Sequence, residues 1–139
     1  MFERCLYFNV NSLARSVNRL WDAAFQEFEL SPSHAYLLRL VLAQPGLSQK
    51  EIAAELKLEK STVTRFVDAL EEKGLVRRTS AEKMDKREQG IVPTANAKTI
   101  QDSLEKTGNS LYKKMLDEFG KDELTAFVAQ LRSAAEKLP

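Results

Sequence analysis

From Leu6 the apolar residues fall at Leu6, Val10, Leu13, Val17, Leu20 and Ala24, in steps of 4-3-4-3-4. Side chains three and four apart share one face of a helix, so this rhythm predicts a long first helix with an apolar seam, widened by Trp21, Phe25 and Phe28. Ser31-Pro32 reads as an N-cap followed by proline at the first helical position. It predicts a second helix to about Ala43, stopped by Gln44-Pro45-Gly46. Ser48-Gln49-Lys50-Glu51 has the form of a capping box, in which the serine hydroxyl accepts from the Glu51 amide and the Glu51 carboxylate reaches back to the Ser48 amide. Leu47 and Ile52 stand where a hydrophobic staple would. A short third helix follows to about Leu56, then a turn over Lys57 to Lys60. A fourth helix is predicted from about Ser61 to Lys73, with Gly74 suited to a left-handed cap.

After Gly74 the period shortens. Leu75-Val76-Arg77-Arg78-Thr79 reads as a strand, Ser80 to Arg87 as a charged loop, and Glu88 to Pro93 as a returning strand whose proline suits an end or an edge. Thr94 can cap a fifth helix with apolar positions at Ile100, Leu104, Leu111, Met115 and Phe119, ended by Gly120. A sixth helix carries Leu124, Val128, Leu131, Ala135 and Leu138. The fold class is therefore mainly α with one small β-hairpin: a central helix-turn-helix and hairpin flanked by long helices. The organisation expected is a module over residues 31–94 and a helical region made of 1–30 and 95–139. The seams exceed what a small module can cover, and a second copy of the chain is the simplest remedy. Leu6, Val10, Leu13, Leu111, Met115, Leu124, Val128 and Leu131 are the candidate dimerisation residues.

Composition narrows the chemistry. At 139 residues the chain suits one domain. The net charge of +1 gives no global basic signal, but its distribution does. Residues 1–56 carry 5 basic and 6 acidic groups, residues 57–100 carry 10 and 7, and residues 101–139 carry 6 and 7. An anionic partner would therefore bind the middle third. The N-terminal stretch resembles no export signal, and the most apolar run, Leu37 to Ala43, is too short to span a bilayer, so a cytoplasmic protein without a membrane partner is expected. One cysteine and one histidine can form neither an internal disulfide nor a Cys/His zinc site. No metal or cofactor is expected.

On the fourth helix Val63, Val67 and Leu70 form an apolar stripe with Phe66 beside it. Ser61, Thr62 and Arg65 lie opposite, with Thr64 at the margin. Such a face can be merely solvated. It also suits double-stranded DNA, because small hydroxyl residues let a backbone approach the major groove and an arginine can bond guanine with two donors. Lys83, Lys86 and Arg87 on the loop could touch phosphate or enter the minor groove.

The stretch STVTRFVDALEEKGLVRR, Ser61 to Arg78, resembles the recognition helix and first wing strand of the multiple-antibiotic-resistance regulator (MarR) family. Asp85-Lys86-Arg87 followed by Ile91-Val92-Pro93-Thr94 resembles that family's wing. The order of elements matches over the whole chain. The resemblance implies a winged helix-turn-helix with N- and C-terminal dimerisation helices. It implies a homodimer that binds a palindromic operator, usually as a repressor, and is released by a small aromatic or anionic ligand or by an oxidant. Carried over, Ser61, Thr62, Thr64 and Arg65 face the groove, Arg87 is the wing-tip arginine, Asp85 orients it, and Lys83 and Lys86 add charge. The chain departs from the family at Glu59-Lys60, where Asp or Ser is common and a weaker cap results, and at Ala97, where Gly is common.

Two readings stand for Cys5: a redox-active thiol, as in oxidant-sensing members of the family, or a small apolar side chain. His34, in the first turn of the second helix, suits a surface or capping role. Trp21, Phe25, Phe28 and Tyr36 suit core packing better than a ligand cavity. A winged helix used only to bind protein would present an apolar recognition face. An enzyme would need a catalytic constellation, yet no phosphate-cradling glycine loop is present and the sole His and Cys lie far apart. The chain is read as a transcription regulator, not an enzyme.

Overall fold

The computed structural model describes residues 1–79 and 89–138. The order of elements is α1 (Leu6–Phe25), a 3-10 turn (Gln26–Phe28), α2 (Pro32–Ala43), β1 (Leu47–Ser48), α3 (Gln49–Leu56), α4 (Lys60–Glu72), β2 (Val76–Arg78), β3 (Gly90–Pro93), α5 (Ala95–Phe119) and α6 (Lys121–Lys137). By its contacts the chain divides into two units, Met1–Glu105 and Lys106–Pro139.

Local sequence sets most boundaries. Ser31 caps α2, its hydroxyl accepting from the His34 amide at 3.2 Å, with Pro32 at the first helical position. The capping box of α3 is complete: Glu51 N donates to Ser48 Oγ and Ser48 N donates to Glu51 Oε1, each at 3.1 Å. The end of α4 forms a paired closure, with Gly74 N donating to Glu71 O and Leu75 N to Leu70 O, both at 2.9 Å. That closure needs a left-handed residue after the last turn, and Gly74 supplies it at φ +74°. Thr94 Oγ1 accepts from the Ala97 amide at 3.2 Å at the start of α5 and donates to Gly74 O at 2.6 Å, so one hydroxyl joins the start of α5 to the turn after α4.

The sheet holds one strand more than the hairpin read from the sequence. Its order is β1-β3-β2, all antiparallel, with Leu47 opposite Ile91 and Arg78 also opposite Ile91. Leu47, expected as a staple, is thus the start of an edge strand. Gly90 is required there: a Cβ would lie 2.8 Å from the carbonyl oxygen of Gly46.

The core of the first unit gathers Phe25 from α1, Leu37, Leu38 and Val41 from α2, Ile52 from α3, Val63, Val67 and Leu70 from α4, Val76 and Ile91 from the sheet, and Leu104 from α5, all at most 1 % exposed. Each contributes roughly 1.5–3 kcal/mol of burial, and together they hold α4 against α2 and α3. Phe25 meets Tyr36 edge-on at 6.0 Å and Phe28 at 6.3 Å, while Trp21 Nε1 donates to Tyr36 Oη at 3.0 Å. In the second unit Leu111 and Leu124 are buried, and the Phe119 and Phe127 rings stack at 6.3 Å.

Candidate nucleic-acid interface

The second helix of the helix-turn-helix is amphipathic in the way its spacing predicts. Val63, Val67 and Leu70 are fully buried, Ser61 and Arg65 are exposed, and Thr62, Thr64 and Phe66 are half-buried. The turn before it is made by Lys57, which takes a left-handed conformation at φ +56°, with Leu58 N donating to Ala53 O at 2.9 Å. Glu59 stands at the N-cap of α4 and its side chain makes no capping bond, as expected where Asp or Ser is replaced. The first amides of α4 are therefore left without a side-chain cap and can meet an anion.

The hydroxyls of this face are held in different ways. Thr64 Oγ1 donates to Lys60 O at 3.0 Å and accepts from Gln49 Nε2 at 3.4 Å, so this residue leans toward α3. Arg65 Nη2 reaches Thr62 Oγ1 at 3.4 Å along the exposed surface. Ser61, Thr62 and Arg65 thus share an open face, and Thr64 lies at its margin against α3. The wing candidates Lys83, Asp85, Lys86 and Arg87 lie outside the described residues. The strands that flank them are joined by Thr79 N donating to Gly90 O at 2.8 Å and Gly90 N to Thr79 Oγ1 at 2.9 Å.

Two residues close to this face make contacts that their sequence positions alone did not show. Arg78, at the end of β2, bonds Asp68 and Glu71 of α4 and Gln49 of α3. Asp68 and Glu71 are three apart on one helical face, a spacing that marks a paired acidic site for a cation brought back by the strand. His34 packs its ring edge-on against Phe66 of α4, with centroids 4.7 Å apart. Burial, with the Lys73 cation as a second cause, pushes the His34 pKa below its ordinary 6.5.

Of the dimerisation candidates, Leu6, Val10, Leu13, Val128 and Leu131 are exposed, Met115 is half-buried, and Leu111 and Leu124 are buried within the chain itself. Cys5 is half-buried at the N-cap position of α1. Among the described residues no group of three or more His, Cys, Asp or Glu side chains could hold a metal, and no helix is long and apolar enough to cross a membrane.

Helix-turn-helix, buried stripe, polar outer face and three-stranded wing together define a winged helix-turn-helix protein. A family profile described as the MarR family matches residues 28–88. The uncharacterised HTH-type transcriptional regulator YwoH of Bacillus subtilis (strain 168) is 30% identical over 125 residues, 90% of each chain. Among solved structures, S. aureus MepR in complex with DNA superposes with a TM-score of 0.86 at 19% identity, covering 99% of this chain and 100% of the other. The transcriptional repressor CouR bound to p-coumaroyl-CoA superposes at 0.82 with 21% identity, covering 96% and 94%. The chain belongs to the MarR family of transcriptional regulators, and is a regulator, not an enzyme.

Proposed function

We propose that the chain is a dimeric repressor of a palindromic double-stranded DNA operator, released by a small aromatic or anionic ligand. The observation that carries this reading is the outer face of α4, where exposed Ser61 and Arg65 and half-buried Thr62 lie opposite a fully buried Val63/Val67/Leu70 stripe. The buried stripe fixes the rotation of the helix, and the small open residues leave its backbone able to enter a major groove. Arg65 supplies a donor fork for guanine, and Ser61 and Thr62 supply hydroxyls for phosphate or base edges. In this reading Thr64 touches the groove wall, Lys83, Lys86 and Arg87 add wing contacts to phosphate or the minor groove, and Asp85 orients Arg87. The solved complex of MepR with DNA, which shares the fold, supports DNA as the partner.

The division into a helical dimerisation region (1–30 and 95–139) and a DNA-reading module (31–94) belongs to the same proposal. The ligand class is supported by CouR, whose bound p-coumaroyl-CoA is both aromatic and anionic. In this reading Cys5 plays the apolar role, and Cys5→Ser leaves operator binding and release unchanged. Peroxide-driven release that disappears in Cys5→Ser would reverse that assignment.

The test is fluorescence anisotropy with labelled duplex taken from the DNA flanking the protein's own gene, against a shuffled duplex. Preferential, salt-sensitive retention of the flanking duplex is expected. Equal, salt-insensitive behaviour toward both would end the DNA reading. An apolar recognition face would have favoured a protein-binding winged helix, and this face is polar.

A further inference from the structure

Among the described residues near the recognition helix, Arg78 has the most heavily engaged side chain. Its Nη2 donates to Asp68 Oδ1 at 2.7 Å and to Gln49 Oε1 at 3.2 Å, and its Nη1 donates to Glu71 Oε1 at 2.8 Å. Its backbone amide donates to the other Glu71 oxygen, Oε2, at 3.3 Å. Three elements meet at this guanidinium: strand β2, the outer edge of α4, and the first residue of α3. Gln49 carries the connection one step further, its Nε2 donating to Thr64 Oγ1. The side chain of Arg78 is only 22% exposed, while Asp68 is 61% and Glu71 42% exposed.

The middle third of the chain is its basic part, and Arg78 counts toward that excess. A cation beside a DNA-reading helix is ordinarily read as a phosphate contact. Here the donors already face two carboxylates and an amide, charge-assisted bonds that a phosphate would have to displace. Among the described residues two carboxylates face this one guanidinium, so Arg78 itself brings no net positive charge for a phosphate.

We propose that Arg78 is a positioning residue for DNA recognition, clamping the first wing strand to the recognition helix so that α4 and the wing present themselves to DNA as one rigid unit. The inference rests on the DNA reading above. The mechanism is geometric. Glu71 holds β2 through both its oxygens, Asp68 fixes the guanidinium plane, and Gln49 passes the constraint to Thr64 at the margin of the groove-facing surface. Thr79 follows directly and pairs with Gly90, so the clamp also fixes the Thr79–Gly90 end of the β2–β3 pair.

The clamp and a phosphate contact predict opposite results. Arg78→Lys keeps the charge but cannot span three acceptors. Asp68→Asn removes a negative charge beside the DNA, which would tighten binding if Arg78 were thereby released to a phosphate. The measurement is affinity for a duplex enriched from a random-sequence library by the parent protein, over a range of salt concentrations. The clamp predicts that Arg78→Lys and Asp68→Asn each weaken binding by roughly tenfold. It predicts that the double variant is little worse than either single one, and that the slope of log affinity against log salt is unchanged.

Full affinity in Arg78→Lys would overturn the proposal. So would tighter binding in Asp68→Asn, or a slope lower by about one in Arg78→Gln. If Arg78→Lys fails to fold, Asp68→Asn at its exposed position decides alone. A parent protein that retains neither the enriched duplex nor an arbitrary one overturns the DNA reading and the clamp with it. A parent that binds while the variants match it overturns the clamp only.

Discussion

Arg39 holds Glu105 with two nitrogens: Nε donates to Oε1 at 3.0 Å and Nη2 to Oε2 at 3.1 Å. The same guanidinium lies over the Tyr36 ring, 5.0 Å from its centroid, and Tyr36 in turn accepts from Trp21. A charged fork and two aromatic rings thereby join α1, α2 and the first part of α5.

The Arg39 hydrogen bonds hold the Glu105 carboxyl below its ordinary 4.5. A carboxylate depressed in the folded state contributes stability that is intact above 4.5 and fades as pH falls through the lower folded value. Because Glu105 is 45% exposed, solvent screens the pair, and Glu105→Gln should cost less than about 1 kcal/mol at neutral pH. The expected signature is in the acid limb: urea midpoints of parent and Glu105→Gln converge as pH drops below 4. A constant gap down to the lowest pH would show that the ion pair contributes nothing.

His34 titrates in a more accessible range. Burial first, and Lys73 second, lower its pKa, so the unfolded chain takes up a proton that the folded one resists. Stability is complete above 6.5 and declines as pH falls below it. The thermal midpoint should therefore drop between pH 7.5 and pH 5.5. His34→Phe, which keeps a ring against Phe66 and cannot be protonated, should flatten that drop. Identical pH profiles for the two proteins would remove His34 as the cause.

Arg65 carries the most specific expectation for DNA. Losing a two-donor contact to a base edge costs about 1–3 kcal/mol and relaxes preference at one base pair, so Arg65→Ala should bind operator less tightly and discriminate less. Lys86→Ala, losing a phosphate contact, should weaken all duplexes alike and lower the salt slope by about one. Competition against single-base variants of the operator separates the two. An Arg65→Ala protein with the parent's affinity would mean that α4 docks in another orientation.

Much of this architecture was legible because its signals are local. The Ser48/Glu51 box, Gly74 after α4 and the Val63-Val67-Leu70 spacing each depend on residues within two helical turns, and α4 differs from its expected span by one residue at each end. What escaped depends on partners distant in sequence. Leu47 becomes a strand only because Ile91 returns beside it, and two residues carry no periodicity to read. His34 finds Phe66, and Arg78 finds Gln49, only once the chain has folded. Heptad spacing has the same limit. It marked Leu111, Leu124 and Leu131 alike, although the first two are buried within the chain and the third is exposed.

That difference sharpens the dimer prediction. Leu6, Val10 and Leu13 are 60%, 45% and 38% exposed, and Val128 and Leu131 are each 44% exposed. Each leaves burial of up to about 1.5–3 kcal/mol unrealised in a single chain, and an exposed apolar seam of this kind, on α1 and separately on α6, marks an association site. Two-fold pairing would cover it and set two recognition helices about 34–36 Å apart, one turn of DNA, so that both enter the major groove on one face. Leu111 and Leu124 would then support the interface from inside their own chain, and the exposed residues would meet the partner. Leu131→Asp is the discriminating change. On an isolated chain the charge stays in water and costs little, whereas in a dimer contact it must be desolvated without a partner. The variant should keep the parent's helical circular dichroism, sediment as a lighter species and lose operator affinity, although no DNA-facing residue has changed. Sedimentation of the parent at micromolar concentration is the decisive control: a single species near 15.7 kDa would rule out the dimer and the two-helix docking built on it.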